Sequence, residues 1–100
     1  ERVFSYRALR ISRNDQTDLA AFDENSYNAN TNANARSLQD LLTELATARQ
    51  STLQLFKSLS QEQMHLTGLV SSNRISVRAI GFMIIGHQKQ HQNIFKELYL

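Results

Sequence analysis

From Leu38 to Leu59 the apolar positions recur three and four residues apart: Leu38, Leu41, Leu42, Leu45, Leu53, Phe56 and Leu59, with Thr52 on the same stripe. That period places them on one face and predicts an amphipathic helix. Ser37 followed by Asp40 supplies an N-cap with an acidic third position. A second stripe, Val77, Ile80, Ile84, Ile94, Phe95 and Leu98, predicts a helix capped by Ser76 and running to about Leu98. At about 22 residues, or ~33 Å, each, these two helices match in length and are expected to pack side by side. Val3, Phe4, Ala8 and Ile11 predict a shorter helix over residues 1 to 12, already in progress at Glu1. Ser60-Gln61-Glu62-Gln63 matches a capping box and predicts one or two turns ending near Gly68, followed by a short loop over 68–75.

Residues 14–36 break the pattern. They hold five Asn between Asn25 and Asn34, with Leu19, Phe22 and Tyr27 as the large apolar anchors. Such a stretch reads as a connection rather than an element, of the kind that crosses from one end of a helical bundle to the other.

Composition agrees with helix. There is no Pro, only three Gly, and no sustained strand-like alternation, so the expected fold class is all-α in one domain over residues 1–100. With no Cys, disulfides and thiolate metal sites are excluded, and any metal must be held by nitrogen or oxygen. A reducing cytoplasm suits that composition. The longest apolar run, Ile80 to Gly86, falls far short of the ~20 residues a bilayer crossing needs. The net charge of +2 is uneven: residues 1–13 carry four Arg and one Glu, residues 14–44 six acids and one Arg. Arg2, Arg7, Arg10 and Arg13 could form a phosphate-binding strip, but at this density a solvated helix face is the favoured reading and nucleic acid is not the expected partner. The leading helix is shorter than its partners, which leaves apolar stripes uncovered. A further segment upstream of Glu1 is therefore expected.

Chemistry centres on His87 and His91, two of the three histidines, which stand four apart and so share a helix face. Val77, Ile80, Ile84, Ile94, Phe95 and Leu98 recur around them, so the pair is expected within the buried stripe. An imidazole removed from water needs hydrogen-bond partners or a metal. Two readings stay open: a metal site, or two core histidines bonded to neighbours such as Thr52 or Arg49. A zinc, nickel or iron site needs at least three protein ligands. His65 falls where an exposed polar position is expected and is discounted. The H-E-x-x-H spacing is present, but position 88 is Gln, which cannot serve as the general base of a metalloprotease. No nucleophile elbow, phosphate loop or paired catalytic carboxylates occur.

Several strings, taken together, resemble the DinB-like (damage-inducible) family of metal-binding four-helix bundles. Glu1-Arg2-Val3-Phe4-Ser5-Tyr6-Arg7-Ala8-Leu9-Arg10 is similar to its second helix and Phe22-Asp23-Glu24-Asn25 to its long crossover between helices two and three. Ser76-Val77-Arg78-Ala79-Ile80-Gly81, Gly86-His87 through His91, and Glu97-Leu98-Tyr99-Leu100 resemble its fourth helix. The resemblance implies that this chain supplies about three of the four helices. It also implies that His87 and His91 are two ligands of a three-histidine divalent metal site (Zn, Ni or Fe), the third lying just upstream of Glu1. Relatives often carry Glu and His where this chain has Gln88 and Gln90, so the surroundings of the ligands differ. Tyr6, Arg7 and Arg10 would then be candidates to line the cavity, against a plainer role in surface charge and packing. The activity implied is that of a metal-dependent thiol S-transferase or hydrolase acting on a small molecule or low-molecular-weight thiol in a bacterial-type cytoplasm, with a homodimer as the expected assembly. The alternative is a non-catalytic helical module that dimerises or binds a partner, with a structural metal or none.

Overall fold

A computed structural model describes the backbone of residues 1–99, and the side-chain surroundings of residues 1–89 and 93. Three of the helices start where a hydroxyl satisfies a free amide of the first turn. Ser37 accepts from Asp40 N and opens α3, Leu38–Lys57. Ser60 and Gln63 cap one another to open α4, Gln61–His65. Ser76 accepts from Ala79 N and opens α5, Val77–Tyr99. The leading helix α1, Arg2–Ser12, stops where Asn14 turns into the left-handed region at φ 61° while its amide bonds to Ile11 O. Asn tolerates that conformation better than most residues.

The molecule is mostly helical, but it is not all-α. A small sheet is built from β1 (Asp18–Leu19), β2 (Thr67–Val70) and β3 (Asn73–Ser76) in the order β1-β2-β3, with β1 parallel to β2 and β2 antiparallel to β3. The expected loop over 68–75 is thus a hairpin. Its two-residue turn, Ser71-Ser72, has φ of 49° and 66°, the positive values that match the right-handed twist of a two-residue hairpin. Neither serine is a favoured residue there, so sequence alone gives no turn signal. Asp18 anchors the turn from outside: its carboxylate accepts from Ser72 N at 2.9 Å and meets Ser72 Oγ at 3.0 Å. The expected connection over 14–36 likewise contains β1, the short helix α2 (Glu24–Ala29) and a 3-10 turn at Ala33–Ala35.

The core lies where α1, α5 and the sheet meet. Ala8, Ile11, Leu19, Val77, Ile80 and Ile84 are buried together, flanked by Phe4, Phe56, Leu66 and Val70. Gly68 is required by this closeness, because a Cβ there would lie 2.7 Å from Ile11 Cγ1. Helix α3 reaches α5 through the Phe56 ring, 3.0 Å from where a Cβ on Gly81 would lie. Yet among the described residues of α3 only Thr52 is buried. Leu38, Leu42, Leu45 and Leu53 of its apolar stripe are exposed, as are Phe82, Met83 and Ile85 on α5. No described helix is long and apolar enough to cross a membrane.

Candidate functional site

His87 stands on the third turn of α5, one turn beyond buried Ile84, and is exposed rather than part of the buried stripe. The expectation of a buried imidazole at this position is corrected. The apolar face of α5 is continuous through Ile84, but α1 and α3 leave an opening beyond it. The Phe4 ring edge faces the imidazole, with centroids 6.3 Å apart at 80°. His91 follows one turn later on the same helix, and its side chain lies outside the described residues, as do those of Ile94, Phe95 and Leu98.

Two openings converge on His87. One is a groove of about 510 Å³ between α1, α3 and the segment around α2, walled by Phe4, Phe22, Tyr27, Glu24 and Glu44 among others. The other is a smaller cavity of about 230 Å³ lined by Glu1, Phe4, Leu45, Arg49, Ile84, His87 and Gln88. A ligand pocket of a few hundred Å³ with a mainly apolar floor and a few convergent polar groups is the usual form of a small-molecule site.

The wall of the smaller cavity is an ionic node that joins three helices. Arg49 of α3 donates to both carboxylate oxygens of Glu1, at 2.7–3.0 Å, and also to Gln88 Oε1 on α5. Thr52 donates to Glu1 Oε2 at 2.8 Å and shares a hydrogen bond with Ser5. The hydrogen bond from Arg49 holds the Glu1 carboxyl below its ordinary range, against the opposing effect of burial, and the same contact raises Arg49. Arg49 and Thr52, expected as neighbours of the histidines, both bond to Glu1, and Arg49 also to Gln88. Sequence reasoning missed this node. Its visible trace was two polar residues, Arg49 and Gln88, set on otherwise apolar helix stripes.

The other candidates sit apart from His87. Tyr6 is exposed and lines a separate cavity of about 490 Å³ with Ser5, Leu9 and Leu55. Arg10 lies over the Tyr6 ring at 5.9 Å and pairs with Asp15 at 2.7 Å. Arg7 is buried between the rings of Phe4 and Phe22, with Nη2 donating to Ala20 O at 2.9 Å. The four N-terminal arginines thus form no continuous strip, since Arg7 faces inward and Arg10 is bound to Asp15. His65 ends α4 in an exposed position. Among the described residues, no group of three His, Asp or Glu side chains gathers closely enough to hold a metal ion. Comparison with models of protein families, with curated proteins and with solved structures finds no match to this chain.

Proposed function

We propose that the chain belongs to a DinB-like four-helix bundle, with α1, α3 and α5 as three of its helices, and that His87 and His91 help ligate a divalent metal, Zn, Ni or Fe. The observation that carries this reading is the position of His87, an accessible imidazole on the wall shared by two openings. The donors fit in kind, since imidazole suits these ions. They fall short in number, since such a site needs at least three protein ligands. Held by His87 and His91, such a metal would act as a Lewis acid toward water or a thiol. This supports a metal-dependent thiol S-transferase or hydrolase-like activity on a small molecule. The protein's own contribution begins with α5, which fixes His87 at the groove. Arg49 ties Gln88, the next residue, to α3 and Glu1, and so holds the helical turn that bears the imidazole. Phe4 and Ile84 give the cavity part of an apolar floor.

The test is metal analysis of the purified protein. Wild type is expected to retain close to one equivalent of metal per chain, and His87→Ala and His91→Ala to lose most of it. A chelator should lower the melting temperature of wild type alone, because a ligand bound only by the folded state stabilises that state. Metal content unchanged by either substitution sinks the site. A second reading is favoured by the exposed apolar residues of α3 and α5: a non-catalytic module that pairs as a homodimer or binds a partner helix. Metal-free protein with a concentration-dependent mass in sedimentation supports that alternative.

A further inference from the structure

One wall of the His87 groove is supplied by residues 20–36, and little attaches that wall to the rest of the molecule. Phe22 and Arg36 are its only partly buried residues, and α2 has none that are buried. The hydrogen bonds of α2 are made within the segment: the Asp23 carboxylate accepts from Asn25 N and Ser26 N, and Asn30 Nδ2 donates to Ser26 O. The two ends, by contrast, are firmly tied. Leu19 is buried and its carbonyl accepts from Ser71 N at 2.8 Å, while Arg36 is braced on Asp40 and Glu44.

Between those ends the inward attachment among the described residues is a single arrangement. The guanidinium of buried Arg7 sits 5.6 Å from the centroid of Phe22 and 5.7 Å from that of Phe4, and it donates to Ala20 O. Tyr27 packs on Phe22 within the segment, with centroids 4.7 Å apart, and would travel with it. The Phe4 ring that backs Arg7 also meets His87 with its edge. Segments with few buried apolar contacts open locally at small cost while the core stays folded. We propose that residues 20–36 form a hinged strap over the His87 groove, closed by a latch in which Arg7 is clasped between Phe4 and Phe22. Releasing the Phe22 side swings Glu24, Tyr27, Asn28 and Thr31 away from the groove they line. The strap sets which ligands enter this groove, the larger of the two openings onto His87, whether or not that residue binds a metal.

Two variants test this in the full chain. Phe22→Ala removes the ring on the strap, and Arg7→Met keeps an apolar stem while removing the charge and the bond to Ala20. Both are expected to speed chymotryptic cleavage after Tyr27 by about tenfold, because local proteolysis follows the population of the open form. Cleavage within α3 should be unchanged, which separates strap opening from global unfolding. In the same variants a bulky soluble gadolinium chelate should broaden the His87 ring resonances about twofold or more relative to those of exposed His65, since the groove is then unroofed. If Phe22→Ala loosens the whole chain, Arg7→Met decides. Cleavage after Tyr27 that is no faster in Arg7→Met, or faster cleavage with unaltered access to His87, overturns the proposal.

Discussion

Helices α1 and α3 carry the same kind of apolar stripe and meet different fates. Over eleven residues α1 buries Arg7, Ala8, Ile11 and Ser12, whereas α3 buries only Thr52 over twenty. The difference comes from neighbours rather than from residue type. Helix α1 is enclosed by α5 and by β2, which Gly68 allows to approach within contact of Ile11, whereas α3 touches the rest mainly along its second half. Leu38, at 73 % exposure, lies on a predicted stripe as regular as that of Ile11. Periodicity tells which face of a helix is apolar. It does not tell whether anything covers that face.

The comparison breaks first if the two stripes are equally sensitive to truncation. Ile80→Ala, in the core that α1 shares, should cost about 2–5 kcal/mol from lost transfer energy and the cavity left behind. Leu42→Ala, on the exposed stripe of α3, should stay within about 0.5 kcal/mol. Denaturant midpoints at an unchanged slope measure both. A loss at Leu42 as large as that at Ile80 would show that α3 is covered in solution.

A smaller effect isolates the close approach itself. Gly68→Ala places a methyl 2.7 Å from Ile11 Cγ1 and 3.3 Å from Asp15 O, so either the hairpin or the side chain must shift. Overpacking of this kind should lower stability by about 1–3 kcal/mol. The equivalent change on the α3 side, Gly81→Ala, meets the edge of partly exposed Phe56 at 3.0 Å and should cost less. Thermal melts of the two variants side by side check the order.

The smallest effect is one of charge. The Asp15 carboxyl accepts from Thr17 N and pairs with Arg10, and these bonds depress it from an ordinary 3.8 to about 2. Because the folded state binds this proton less readily than the unfolded state, the contribution is complete above 3.8. It is lost as pH falls toward 2. Glu1, lowered mainly by its hydrogen bond from Arg49, acts in the same direction below its ordinary 4.5. Melting temperatures of wild type and Asp15→Asn from pH 6 to pH 2 should therefore converge at the acid end. A constant gap would show that Asp15 works through packing instead.

Helices α3, α4 and α5 were legible in the sequence because their starts are written in side chains, whereas α2 was hidden in the Asn-rich connection. Ser37, Ser60 and Ser76 cap α3, α4 and α5 where the spacing predicts them. The sheet was not legible, because its strands are two to four residues long and its turn is Ser-Ser. Alternation needs a longer run before it stands out from a loop. At the site, the placement of His87 on a long C-terminal helix was readable, but its exposure was not. Whether an apolar stripe continues to find cover past Ile84 depends on where α1 and α3 lie, and no local pattern encodes that. The Arg49 node was hidden for the same reason: Glu1, Arg49 and Gln88 are far apart in the chain and meet only after three helices dock.

The Ser71-Ser72 turn carries a consequence for the order in which the molecule assembles. Two non-glycine residues at positive φ make a hairpin that is reluctant to close on its own. What holds it is distant: Asp18 on the turn, and the parallel pairing of Asp18 and Leu19 with Leu69 and Val70 across about fifty residues of chain. Closing so long a loop early is entropically unfavourable. The β2–β3 hairpin is thus expected to be only weakly formed until α1 brings β1 alongside it.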